Sequence, residues 1–435
     1  MKILKNNFCE IILTIMAIVV PVIGIPEKIN IFEQNIIRRN FLFIIGIFLI
    51  IALIIKRKKL KYDKKDSLLL IFFLIGVIST IFSIYRNRAI FGQPNRHEGI
   101  LMIGIYILIY YSAKYLFTYY KKFIPLLCVM AVALTILAIL QFYNMVPILK
   151  NIYQIPAPNS TFNNSNIFAN FISIFVPMML GIYIIKGGKG SICCSLIFLT
   201  GMLISLARSA YISFLVYYVL TFIYIIKNKE KEYIKRFAII TVSFIILCGL
   251  VNYTSNNRVA GRGELIVKEA QSMKDGITDQ MGSGRIFYWK TVAMLMLERP
   301  ILGYGPDTIK YAIKWVHPDI FKQFHIKTGG VVIEKAHNEW LQIGATMGIP
   351  AMLIYTLFII LVLKNNLKNM MNNKVCFIFS IMIIGYLVQA FFNISVISVA
   401  PLFWLVLGLS ENENFKTKCL EELNKKDIAN STISK

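Results

Sequence analysis

Apolar residues fill most of this chain in long runs, broken at fairly even intervals by short connections, many of them basic. A helix needs roughly 20 apolar residues to cross a hydrocarbon core about 30 Å thick. Candidate spans lie at about 8–25, 41–55, 67–84, 99–117, 123–143, 166–186, 191–207, 209–226, 237–254, 338–363, 375–393 and 395–410. The seventh and eighth are so close that a tight hairpin is expected between them. One polar stretch, residues 255–337, breaks the rhythm and contains no such run. The pattern predicts an all-α membrane protein with about 12 transmembrane helices and a large extracytoplasmic loop containing short helices. The expected division is nine spans in 1–254, the loop in 255–337, three spans in 338–410 and a tail in 411–435.

Composition agrees. The 435 residues are 57% hydrophobic with mean hydropathy +0.64, more apolar than a soluble fold that must cover itself with polar groups. Lys2 and Lys5 before the first run resemble a signal peptide, but no small-residue cleavage site follows, so that run reads as a retained span. The seven cysteines lie mostly in apolar stretches without CxxC spacing and read as small buried hydrophobes.

The formal net charge of +25 would suggest nucleic acid in a soluble protein. No nucleic-acid motif accompanies it, and here it sharpens the topology instead. The basic connections at 56–65, 121–122, 186–189, 227–236 and 364–374 fall on one side if the N-terminus is cytoplasmic, as the positive-inside rule expects. The C-terminal tail is then also cytoplasmic, the 255–337 loop lies outside, and the expected location is the cell membrane, in contact with anionic lipid.

Arginine does not follow lysine. Of the twelve arginines, ten fall outside in this scheme: Arg38, Arg39, Arg86, Arg88, Arg96, Arg208, Arg258, Arg262, Arg285 and Arg299. Lysines are mostly inside. A guanidinium grips phosphate oxygens with a planar fork whereas an ammonium is a point charge. The outer face therefore reads as a place for an oxygen-rich anion, with lipid-headgroup contact as the alternative. Acidic residues are nearly absent from the spans, which argues against an ion-coupled transporter.

Within the loop, Ser283-Gly284-Arg285 opens an apolar stretch that Pro300 ends. Ser283 is a candidate cap, and Arg285 sits in a first turn whose free N–H groups favour an anion. Gly303 to Pro306 form a glycine-rich turn around Tyr304, and Pro306 suits the start of a second short helix. This turn fits no Walker or Rossmann pattern. Trp289, Trp315 and Trp340 lie in or beside the loop, suited to a membrane interface or to stacking on sugar. Arg208 sits at the hairpin turn, close to hydrocarbon, where an arginine calls for an anionic partner. His337, followed by Asn338 at the mouth of the tenth span, is a candidate general base. His317 and His325 read as surface residues, and no metal site or cofactor is expected. Residues 92–99 add Arg96 and Glu98, and the amide-rich turn 158–170 can hydrogen-bond a polar ligand.

Taken together, Arg96-His97-Glu98-Gly99, Thr161-Phe162-Asn163-Asn164-Ser165-Asn166, Ala207-Arg208-Ser209-Ala210, Gly284-Arg285 with Trp289, the 298–305 stretch, and His337-Asn338 with Gly348 resemble the O-antigen ligase and polymerase superfamily. Ala351 departs from the glycine that ligases often carry. The resemblance implies a metal-independent, inverting glycosyltransferase on the outer face of the membrane. Its donor would be a glycan on undecaprenyl diphosphate, and its acceptor a hydroxyl of a glycan, lipid or protein. It implies that Arg208 and Arg285 hold the diphosphate and that His337 takes or orients the acceptor proton. Arg96, Glu98, Arg258, Arg262, Asn338, Trp289 and Tyr304 are then substrate-binding candidates. The competing expectation is a lipid-linked oligosaccharide flippase or another transporter.

Overall fold

The computed structural model describes residues 8–24, 31–57, 60–119, 121–145, 158–162, 164–272, 281–327 and 332–431, with positions 274, 276, 278 and 279. Lys2, Lys5 and Asn163 lie outside the described residues. Among the described residues there is no strand. The helices are α1 (Phe8–Val22), α2 (Ile31–Ile55), α3 (Lys64–Ile81), α4 (Arg86–Phe91), α5 (Ile100–Tyr115), α6 (Phe123–Phe142), α7 (Ser165–Lys186), α8 (Lys189–Ile204), α9 (Arg208–Asn228), α10 (Lys231–Thr254), α11 (Arg258–Ser272), α12 (Arg285–Glu298), α13 (Ile309–Val316), α14 (Pro318–Lys327), α15 (Glu339–Met347), α16 (Ile349–Asn369), α17 (Lys374–Phe392), α18 (Ala400–Ser410) and α19 (Glu413–Ser431).

Among the described residues, seven helices are long and apolar enough to cross a membrane: α6, α7, α9, α10, α16, α17 and, from Glu33, α2. Four more, α1, α5, α8 and α18, are apolar but shorter. The remaining expected span lies on α3, whose first turn carries Lys64, Lys65 and Asp66 and is capped by Asp63.

The bundle is built around α7 and α17, which pack on each other. In its most apolar stretch α7 is 89% buried, against 11% for α10 at the margin. The expected hairpin is tight only at its turn, Ser205 to Ala207, where Leu206 has φ 53°. Beyond it the helices part: α8 packs chiefly on α6, α7 and α10, and α9 chiefly on α17 and α7. The seven cysteines are free; Cys9, Cys376 and Cys419 are buried, whereas Cys193 is exposed.

Three local expectations are corrected. The tenth run is not one helix but two, α15 and α16, broken at Gly348 with φ 91°. A Cβ there would come 2.0 Å from the Ile301 carbonyl oxygen, so only glycine lets the 298–305 stretch approach so closely. The Ile349 N–H donates to that stretch at Pro300 O, 2.7 Å away. Second, α12 begins after Gly284, and Ser283 is not its cap; at φ 60° Ser283 lacks the extended backbone typical of a capping residue. Third, the second short helix starts at Ile309 rather than Pro306, because Asp307, at φ 58°, turns its carboxylate inward.

The 255–337 segment has a core of its own. Val292, Leu295, Tyr304, Ile309, Ile313 and Ile333 form a small buried cluster that seats α12 and α13 against α15.

The connections sort onto two ends of the bundle. At one end, Glu10 binds Thr118, Lys65 binds Glu411 and Lys114 binds Asp66, and Lys186 donates to Glu422 O. At the other, Asn35 donates to Asn95 O, Gln93 to Asp307 and Arg262 to Leu206 O.

Candidate active site

The first turn of α12 carries Arg285, Tyr288 and Trp289 at i, i+3 and i+4, which puts them on one face. That face meets His337. The Tyr288 and His337 rings stand edge to face 5.2 Å apart, and the Trp289 indole N–H donates to the His337 carbonyl at 3.3 Å. Trp289 also packs on Phe391 and Phe392 at the end of α17. His337 itself has φ 50°, a conformation uncommon for a non-glycine residue. Asn338 follows as the cap of α15, its side-chain oxygen accepting from Leu341 N at 3.0 Å.

Arginines converge beside this histidine. The Arg285 guanidinium donates to Asn393 Oδ1 at 3.3 Å, and Asn393 Nδ2 is itself fixed on Ser209 and Gln389. Ser209 adjoins Arg208, so α9, α12 and α17 meet here. Burial, followed by the charges of Arg208 and Arg262, holds the Arg285 pKa down to about 10. Three guanidinium groups thus crowd one place, and their mutual repulsion favours an anion among them. Arg262 donates to Leu206 O at 2.9 Å. Arg208 meets the carboxylate of Glu269, while its Nε is buried without a hydrogen-bond partner.

His337 lies in the field of this cluster. Burial, then Arg285 and Arg96, push its pKa down to about 4. The imidazole is therefore neutral at ordinary pH and free to accept a proton, and its protonated form is disfavoured while those cations stand unneutralised.

The other expected site residues have different settings. Arg96 faces Glu334 at 3.5 Å and lines a small recess with Arg38 and Ser398. Glu98 is buried and bonded to Lys335 Nζ at 2.9 Å and to the Tyr106 hydroxyl at 3.2 Å. Lys335 also meets Asp307 at 2.9 Å. Burial works against charge on Lys335, but Asp307 and Glu98 leave its pKa raised. Arg258 lies over the Phe142 ring at 4.7 Å. Tyr304 sits in the small core, its hydroxyl donating to Glu298 at 2.9 Å.

The glycine-rich turn is a splice. Tyr304 N donates to Ala345 O and Gly305 N to Thr346 O, at 3.1 and 2.8 Å, satisfying carbonyls at the end of α15. Arg38 has a comparable role, donating to Val20 O at 3.2 Å and Thr161 O at 3.1 Å. His317 pairs with Glu298 and His325 stacks on Phe321. Among the described residues no group of three or more His, Cys, Asp or Glu is placed to hold a metal ion.

Sequence reasoning missed Asn393, Glu269, Asp307 and Lys335. The first two sit in stretches with no motif. The last two reveal themselves only when the chain brings 307 and 335 together with 98.

The fold is that of a helical membrane protein in which an interrupted helix meets an arginine cluster. Residues 193–356 match the family model described as O-antigen ligase, and that match supports the O-antigen ligase superfamily for this chain. The matched segment contains Arg208, Arg262, Arg285, Trp289, Tyr304, His337 and Asn338, but not Arg96 or Glu98. No curated protein matches the chain.

Proposed function

We propose that the protein transfers a glycan from undecaprenyl diphosphate to an acceptor hydroxyl at the outer face of the cell membrane. The observation that carries this reading is the packing of neutral His337 against α12, whose Arg285 stands with Arg208 and Arg262. As the glycosidic bond breaks, negative charge builds on the leaving diphosphate, and fixed guanidinium groups stabilise it. His337 accepts the proton of the attacking hydroxyl, or orients it for attack from the opposite side, which inverts the anomeric carbon. A bound diphosphate also offsets Arg285, so donor binding makes His337 a better base at the moment a base is needed. Trp289 and Asn338 hold His337 in place rather than touching donor. In this reading residues 255–337 form the catalytic segment, the shorter apolar helices are spans, and both termini are cytoplasmic.

The test is purified protein in lipid with an undecaprenyl-diphosphate oligosaccharide. Free lipid diphosphate together with a ladder of longer glycans identifies a polymerase. Release only on adding a separate acceptor identifies a ligase-type transferase. Passage of labelled donor across the bilayer without release overturns the transferase reading in favour of a flippase.

A further inference from the structure

The arginine cluster is not empty. One carboxylate oxygen of Glu269 lies on the Arg208 guanidinium, and the other accepts the backbone N–H of Gly282. A guanidinium and a main-chain N–H are the groups that would take phosphate oxygens. Both side chains of the Arg208–Glu269 pair are half-buried, 18% and 19% exposed. Of the three guanidinium groups this carboxylate meets that of Arg208, while Arg262 and Arg285 donate to Leu206 O and Asn393 Oδ1, and the Arg208 Nε–H, buried without a partner, leaves this arginine unsaturated.

The helix that delivers Glu269 is loosely held. α11 has no buried residue. Its polar ties to the bundle include Glu269 on Arg208 and Arg262 on Leu206 O, and both lie on the arginine cluster. Gly261 and Gly263 fall inside it, and a Cβ at either would meet nothing within 4 Å. No packing demands these glycines, and each weakens the helix by about 1 kcal/mol relative to alanine. A helix with little burial and weakened backbone opens locally at low cost.

We propose that Glu269 is a built-in occupant of the diphosphate site and that α11 is a lid which the donor unlatches by displacing that carboxylate. This rests on the reading of the arginine cluster as the donor site. A diphosphate diester carries two negative charges against the one of Glu269, so it matches three guanidinium groups better. The exchange also keeps Arg208 paired with a carboxylate while no donor is present.

The test uses the full chain in lipid nanodiscs with inorganic pyrophosphate as probe, followed by calorimetry and by hydrogen exchange. Removing the competing carboxylate in Glu269→Gln should tighten pyrophosphate binding about tenfold, or ~1.4 kcal/mol. In the unmodified protein, pyrophosphate should speed exchange across 258–272, a readout that needs no variant. Equal or weaker binding by a folded Glu269→Gln protein, or unchanged exchange in that segment at saturating pyrophosphate, overturns the latch. If Arg208→Ala binds pyrophosphate as well as the unmodified protein, or if none of the three binds it, the donor-site reading itself fails and the latch with it.

Discussion

Two ionic clusters, one buried and one half-buried, lie at the same end of the bundle, and they are built on opposite terms. In one, Lys335 sits between Glu98 and Asp307, both 2.9 Å away, and these carboxylates also take N–H and O–H donors from Gln93, Glu98 and Tyr106. Opposite charges are close and their remaining lone pairs are largely used. In the other, Arg208, Arg262 and Arg285 repel one another beside a neutral histidine. The first ties residues 98, 307 and 335 together, and the second stores an unmet demand for an anion. The difference teaches that arginine or glutamate near the site is no sign of function by itself; what separates the clusters is whether charge is balanced inside the protein.

The comparison breaks most severely at His337. In His337→Ala we expect transfer to fall by about 10²–10⁴, with pyrophosphate binding retained; loss of both together would make His337 structural. The pH dependence sharpens this. Because its pKa is held below the usual value of 6.5, at about 4, the proton-accepting form persists well below neutrality, and activity is lost as pH falls through that value. The acid limb of kcat/KM should therefore lie near 4, and that of kcat higher, since bound diphosphate offsets Arg285. A diphosphate diester has no ionisation of its own in that range, so the limb is assignable to the protein.

At the balanced cluster the loss should appear in stability. Lys335→Met leaves two buried carboxylates without their cation, and breaking such a pair costs about 3–5 kcal/mol. Thermal unfolding in lipid should show a large drop, and an unchanged midpoint would refute the structural assignment. Arg285→Ala should do the reverse, lowering kcat by about 10²–10³ with little change in midpoint. The smallest effect is expected at Tyr304→Phe, where loss of the hydroxyl bond to Glu298 costs about 1 kcal/mol and turnover in the substrate assay stays near normal.

The helices were legible because an apolar run long enough to span hydrocarbon has few other fates. The crowding of Arg285 with Arg208 and Arg262 was only half visible: sidedness placed them at one end, but so were Arg38 and Arg258, whose guanidinium groups serve Val20 O and Thr161 O or lie over Phe142. Nothing in the local sequence separates these roles, since each depends on which backbone arrives from far along the chain. The setting of Glu98 was hidden for the same reason: its partner Lys335 is 237 residues away. The break at Gly348 did carry a local signal, Gly348-Ile349-Pro350, yet the apolar run across it masked two helices as one.

That break also sets a length. An uninterrupted helix over 339–369 would measure about 46 Å at ~1.5 Å per residue, well beyond a hydrocarbon core of about 30 Å. Cut at Gly348, α16 keeps 21 residues, or about 31 Å, and matches that thickness alone. The nine residues of α15 are released from spanning and join α12 and α13. In the proposed arrangement Gly348 is thereby a depth gauge: it would set the height at which His337 stands relative to the membrane surface, and bilayer thickness would be one of the coordinates of the site.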